Sequence, residues 1–269
     1  QGNLEMNKFL NWAREYSFYP LSGPPNLFMV SNCEEGYGPL AYKTNNLGFR
    51  SENFDNLESG KFSVIIGDSF VFGECVPDNV TLAKLVENKT NEKIFNLGIS
   101  GNGPIEYSLL IGQLFKKIVP KQLTIVLYTG NDFEIINNGN WRSELLGFKI
   151  YNQINEERYY YDQELMTWKL SGKAQKFFNE IETLLRSQHQ KFILEDGHYP
   201  TYPLVYPLMD ILTLQRTKSI ILKLISNNDK YIGKKEFDYK PTIKMVNLLK
   251  DICTTQNQCN ATIMLVHPC

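Results

Sequence analysis

Long apolar runs, a surplus of basic charge and clustered histidine are all missing from this 269-residue chain. A membrane-crossing helix needs about 18 consecutive apolar residues, and no stretch provides them, so no transmembrane segment is expected. Lys and Arg total 28 against 29 Asp and Glu, giving a net charge of −1. Nucleic-acid binders normally carry a basic stripe, and none interrupts this balance, so no nucleic-acid partner is expected. The three histidines, His189, His198 and His267, lie far apart, and the five cysteines match no zinc spacing. No metal and no cofactor is therefore expected. The odd cysteine count (Cys33, Cys75, Cys253, Cys259 and Cys269) leaves at least one thiol over. Cys253 and Cys259 bracket a polar "TTQNQ" and are placed for a bridge, with free thiols as the alternative. The opening "QGNLEMNKFL" has no secretory h-region.

What is present is a core. At 42% hydrophobic and 21% charged, the composition belongs to a globular protein. Residues 1 to 60 read as an extension, rich in Pro, Gly and aromatics, in which Asn45, Asn46 and Gly48 of "TNNLGFR" suit a tight turn. From residue 61 the pattern changes to short apolar runs of the kind buried on both faces of a parallel sheet: "KFSVII", "KIFNLG" and "LTIVLYTG". Helical patterns separate them. "TLAKLVENK" places Leu82, Leu85 and Val86 on one face. "PIEYSLLIGQLFKKI" begins with Pro104 at a first-turn position and Glu106 beside the helix dipole. This order predicts right-handed βαβ units. Residues 133 to 240 read as an insertion holding a hairpin ("EERYYYDQE" with "MTWKL") and a helix ("KAQKFFNEIETLLRSQ"). After it, "PTIKMVNLLKDIC" presents Met245, Leu248, Leu249 and Ile252 on one helical face, and "ATIMLV" is a fourth strand.

Three Gly-bearing turns follow the first three strands: "GDS" at 67 to 69, "NLGISGNGP" at 96 to 104, and "GND" at 130 to 132. In an open parallel sheet the crevice lies beyond the carboxyl ends of the strands, so all three turns are expected to meet there. Each taken alone is also an ordinary turn.

Together these blocks resemble the SGNH hydrolase family, the GDSL esterase/lipase superfamily. "GDSF" matches its first block, the Gly101 segment its second and "GND" its third. With "TNNLGFR" and "VFGECVPDNVTLAKLVE", the chain is similar to a bacterial extracytoplasmic subgroup that handles acyl groups on carbohydrates. The resemblance implies a flavodoxin-like three-layer α/β/α parallel sheet, spanning residues 61 to 269 with the extension packed on it. It implies a serine esterase or O-acyltransferase acting on a small-molecule or carbohydrate acyl ester. Ser69 would be the nucleophile. The Ser69 and Gly101 amides and the Asn131 carboxamide would bind the oxyanion of the tetrahedral intermediate. Asp68 is expected to anchor its loop by accepting backbone hydrogen bonds, Gly98 and Gly103 to be structural, Tyr128 to be core, and Arg50 to be solvated.

One block is absent. The family completes its triad with Asp-x-x-His after the last large strand, and the chain holds no Asp-x-x-His. Glu195 and His198 have that spacing but fall in the insertion. His267 follows the fourth strand without an orienting carboxylate nearby and is expected to line the crevice or to pack beside it, with the role of base as the alternative that it shares with His198. The resemblance thus predicts either a piece of a longer protein that carries the final block beyond Cys269, or a catalytically inactive binding module for acylated or glycan ligands. Tyr159, Tyr160, Tyr161 and Trp168 are expected to form a small satellite core, with stacking on sugar faces as the alternative.

Overall fold

The computed structural model describes residues 21–31, 40–133, 158–189, 239–256 and 259–267. The chain divides into two compact units, Gln1–Ile193 with Phe237–Cys269, and Leu194–Glu236; every described residue belongs to the first. Glu195, His198 and Cys33 lie outside the described residues.

Four strands, β3 (Ser63–Ile66), β4 (Ile94–Asn96), β5 (Gln122–Tyr128) and β8 (Asn260–Val266), form one parallel sheet in the order β4-β3-β5-β8. Its register aligns Ile65 with Asn96 and with Thr124, so the strand ends lie side by side. Successive side chains on a strand point to opposite faces. Val64 and Ile66 enter one core and Ile65 another, as do Leu123 and Ile125 against Val126. Helices cover both faces. A single turn, α1 (Ser69–Phe72), and α2 (Leu82–Thr90) close the smaller core through Val71 and Ala83. The larger one takes α3 (Pro104–Leu114) and α5 (Lys240–Gln256), the latter through Met245 and Leu249. The architecture is α/β with a parallel sheet between helices, as the order of runs implies.

α2 corrects the sequence reading. Leu85 is exposed, and the buried arc is Leu82, Ala83 and Val86. At 100° per residue Ala83 falls on that arc and Leu85 outside it. α5 presents the expected face, with Met245 and Leu249 buried and Leu248 and Ile252 packed against the same core.

The hairpin pairs β6 (Tyr159–Asp162) with β7 (Thr167–Leu170), and the following helix is α4 (Gly172–His189). Tyr159, Trp168, Phe177 and Phe178 are buried in the larger core itself, not in a satellite. Tyr160 is exposed, and Tyr161 packs beside Trp168. An antiparallel pair not read from the sequence, β1 (Phe28–Ser31) with β2 (Leu40–Lys43), precedes the sheet. Leu47, Phe49 and Phe54 that follow it are fully buried in the same core. Their turn is built by two asparagines. Asn45 Oδ1 accepts from the Leu47 and Phe49 amides, and Asn46 Nδ2 donates to the Trp168 carbonyl on β7. Cys253 and Cys259 are joined by a disulfide, and Cys75 is also disulfide-bonded.

Candidate active site

Ser69, Gly101 and Asn131 stand just beyond the carboxyl ends of β3, β4 and β5, three adjacent strands. Asp68 caps α1, its Oδ1 accepting from the Phe70 amide at 3.0 Å, which leaves Ser69 as the first helical residue. The anchoring role expected for Asp68 is thus met. Burial raises the Asp68 carboxyl above its ordinary value, and only its hydrogen bonds to backbone amides oppose that.

The β4 turn is fixed against this one. Asn96 donates from Nδ2 to the Val71 carbonyl at 2.9 Å and accepts from the Gly98 amide at 2.8 Å. The Ile99 amide donates to the Gly67 carbonyl at 3.1 Å. Gly101 has φ of 82°, a left-handed conformation that side chains with a Cβ rarely adopt. Two residues on, Glu106 Oε2 accepts from the Gly103 amide at 2.9 Å and so closes the first turn of α3.

At the β5 turn, the Asn131 amide donates to the Tyr128 carbonyl at 3.4 Å and the Asp132 amide to the same oxygen at 3.0 Å. Asp132 Oδ2 accepts in return from the Tyr128 amide at 2.8 Å. Burial pushes the Asp132 carboxyl up to about 7; nearby Asp68 and Glu106 add to the shift, and the bonds from Tyr128 and Tyr107 oppose it. Tyr128 is not a core residue. It is half-buried, and its ring lies 4.6 Å from that of Phe70 and against Gly130. The β3 and β5 turns therefore touch through aromatic side chains.

The three expected oxyanion donors share one property. Among the described residues, neither the Ser69 amide, nor the Gly101 amide, nor the Asn131 carboxamide is engaged in a hydrogen bond. Ser69 and Gly101 are partly buried and Asn131 is exposed.

His267 sits at the end of β8, exposed, with Nδ1 2.9 Å from Thr129 Oγ1. That hydroxyl donates to the Val266 carbonyl at 3.2 Å. Ser69 Oγ has no histidine partner among the described residues.

Arg50 is not solvated. It is buried, and its guanidinium donates to Asp78 Oδ1, the Gly73 carbonyl and the Val76 carbonyl, each at 2.6 Å. It packs over the rings of Tyr42 and Phe72. Its role is to hold the loop that leaves α1. Sequence reasoning missed Asn96, Tyr107, Thr129 and Asp132 as supports of the turns. Of these, Asn96 and Asp132 stood within blocks already singled out.

No protein-family profile and no curated protein sequence matches the chain. Among solved structures, AlinE4, described as an SGNH-hydrolase family esterase, aligns at 19% identity and a TM-score of 0.25, over 62% of this chain and 97% of that one. A mutant of the same esterase aligns at 17% identity and a TM-score of 0.25, over 62% of this chain and 96% of that one. At those scores the likeness carries no functional assignment. No helix among the described residues is long and apolar enough to cross a membrane.

Proposed function

We propose that the protein is a serine-dependent ester hydrolase or O-acyltransferase working through an acyl-enzyme on Ser69, with acyl esters of carbohydrates as its substrate class. The observation that carries this reading is the meeting of three turns at one sheet end, with three unengaged donors on them. The carbohydrate preference and the roles of Ser69, Gly101 and Asn131 come from the motif resemblance.

In this reading Ser69 Oγ attacks the ester carbonyl and its proton passes to a base. The carbonyl oxygen, now an oxyanion, sits among the Ser69 amide, the Gly101 amide and Asn131 Nδ2, at the positive end of α3. The alcohol departs with a proton. Water or a sugar hydroxyl then takes the acyl group from Ser69. Hydrolase and transferase differ only in that acceptor. The test is a long time course of aryl acetate hydrolysis with the wild type and Ser69→Ala, with and without a sugar acceptor. Loss of turnover in the variant supports the reading, and equal rates overturn it.

The absence of a histidine on Ser69 among the described residues favours a second reading, a binding module that keeps the donors without turnover. It predicts that acylated glycans bind while neither protein hydrolyses them.

A further inference from the structure

One phenol joins the turns after β4 and β5. Tyr107, fully buried on α3, has its hydroxyl 3.1 Å from the Asn102 carbonyl and 3.5 Å from Asp132 Oδ2. Asn102 directly follows Gly101, and Asp132 directly follows Asn131. A phenol has a single hydrogen, and an ionised carboxylate can only accept. With Asp132 ionised, the single phenol hydrogen is at best shared between the two oxygens; a separate two-centre bond on each side is made only when Asp132 carries a proton. Asp132 then donates to Tyr107, and Tyr107 donates to Asn102. Once Asp132 is ionised, the charge-assisted bond is the stronger one. The phenol turns to the carboxylate, and the Asn102 carbonyl loses its phenolic donor.

We propose that Tyr107 and Asp132 form a proton-dependent clasp between the Gly101 and Asn131 turns, closed with Asp132 protonated and open on the Asn102 side with Asp132 ionised. On opening, the Asp132 proton leaves to solvent and the Tyr107 hydrogen moves from the Asn102 oxygen to Asp132; no covalent bond of the chain changes. Both are positioning residues, since they act through the donors beside them. The surroundings favour the closed form. Burial is the largest influence on Asp132, and among the described residues the two charges that bear on it, Asp68 at the start of α1 and Glu106 on α3, are both acidic. Among the described residues the other titratable groups facing this turn are Tyr107 on α3, Tyr128 at the end of β5, His267 at the end of β8, reached through Thr129, and Tyr239, whose ring lies 5.3 Å from that of Phe133.

The clasp itself rests on the two Tyr107 contacts and on the proton of Asp132, whatever reaction the site performs. Its consequence for turnover rests on the ester-transfer reading of Gly101 and Asn131. In that reading the donors are held in register on the acid side, and the rate falls as Asp132 ionises.

The test is NMR on the full chain, following the Asp132 carboxyl carbon and the Gly103 amide nitrogen with pH. Gly103 shares its peptide group with the Asn102 carbonyl, so its amide reports the bond from Tyr107. Both nuclei are expected to titrate with a common midpoint near 7 in the wild type. In Tyr107→Phe the carboxyl still titrates, but the Gly103 response falls by more than half. In Asp132→Asn the Gly103 amide is flat between about pH 5 and 9. An Asp132 midpoint below about pH 5, or an undiminished Gly103 response in Tyr107→Phe, overturns the clasp. A parallel kcat profile for ester hydrolysis should show a falling limb near 7 in the wild type that Asp132→Asn lacks. A protein without any hydrolysis sinks the enzymatic reading, while the NMR titration still decides the clasp.

Discussion

Gly98 sets its bare α-carbon against the backbone of Phe72: a β-carbon on Gly98 would lie 2.2 Å from the Phe72 nitrogen. The contact joins the exit of β4 to the turn that carries Ser69. Backbone cannot move aside as a flexible side chain can, so Gly98→Ala must separate the two turns. The expected destabilisation is about 1–3 kcal/mol, the range for an overpacked core, read by urea denaturation. A loss of under about 0.5 kcal/mol, the level of an indifferent surface change, contradicts the close packing.

Arg50 is the second structural test. Its planar fork reaches two carbonyls and a carboxylate together, and an ammonium cannot reproduce that geometry. Arg50→Lys is expected to cost about 3 kcal/mol, since bonds to charged groups contribute about 1.5–3 kcal/mol each and lysine keeps some of them. Proteolysis should then cut first within the loop between α1 and α2. A variant as stable and as resistant as the wild type would return Arg50 to a surface role.

Asn131 tests the oxyanion reading. Losing one side-chain donor costs roughly 100- to 1,000-fold in kcat at other acyl-transfer sites. Asn131→Ala should show a loss of that size with KM little changed, because the bond strengthens in the transition state. A rise in KM with kcat intact would make Asn131 a substrate-binding residue instead.

How much of this was legible in the letters depended on the range of the interaction. "SVII" and "LTIVLY" read as two-sided buried strands because the run itself carries that information. "ATIMLV" looks the same and is also a strand, yet Ile263, Met264 and Leu265 of β8 are exposed at the sheet edge. Strand order is not written in a run. The Asn45–Gly48 turn was legible because Asn45 accepts from amides two and four residues on, whereas the bond from Asn46 to Trp168 was not. Arg50 was not, because two of its acceptors are backbone carbonyls 23 and 26 residues away. The same holds for Tyr107, which reads as one more apolar helix position until its hydroxyl is seen against Asp132, 25 residues on. The motif turns and the anchoring by Asp68 could be named from sequence, but not the side chains that brace one turn against another.

Asp132 also links stability to pH. Its carboxyl has an ordinary value of 3.8 and rises to about 7 in the folded chain, chiefly through burial. The folded state therefore holds a proton that the unfolded chain releases between these values. The stability so contributed is full below the lower value and lost as pH climbs to the upper one. One unit corresponds to about 1.4 kcal/mol, and partial solvent contact reduces the whole to about 2 kcal/mol. Asp132→Asn should gain on the wild type by that amount from about pH 4 to 7 and no further above it. A stability difference that is flat with pH would show that Asp132 ionises freely in the folded protein.

The proposed role of Ser69, a nucleophile facing oxyanion donors, is measured most directly by reaction with a fluorophosphonate probe, followed by peptide mapping. One probe per chain is expected, attached to Ser69, with no labelling in Ser69→Ala and slowed labelling in Asn131→Ala. An unlabelled wild type, or a probe carried by another residue while Ser69 stays unmodified, would contradict it.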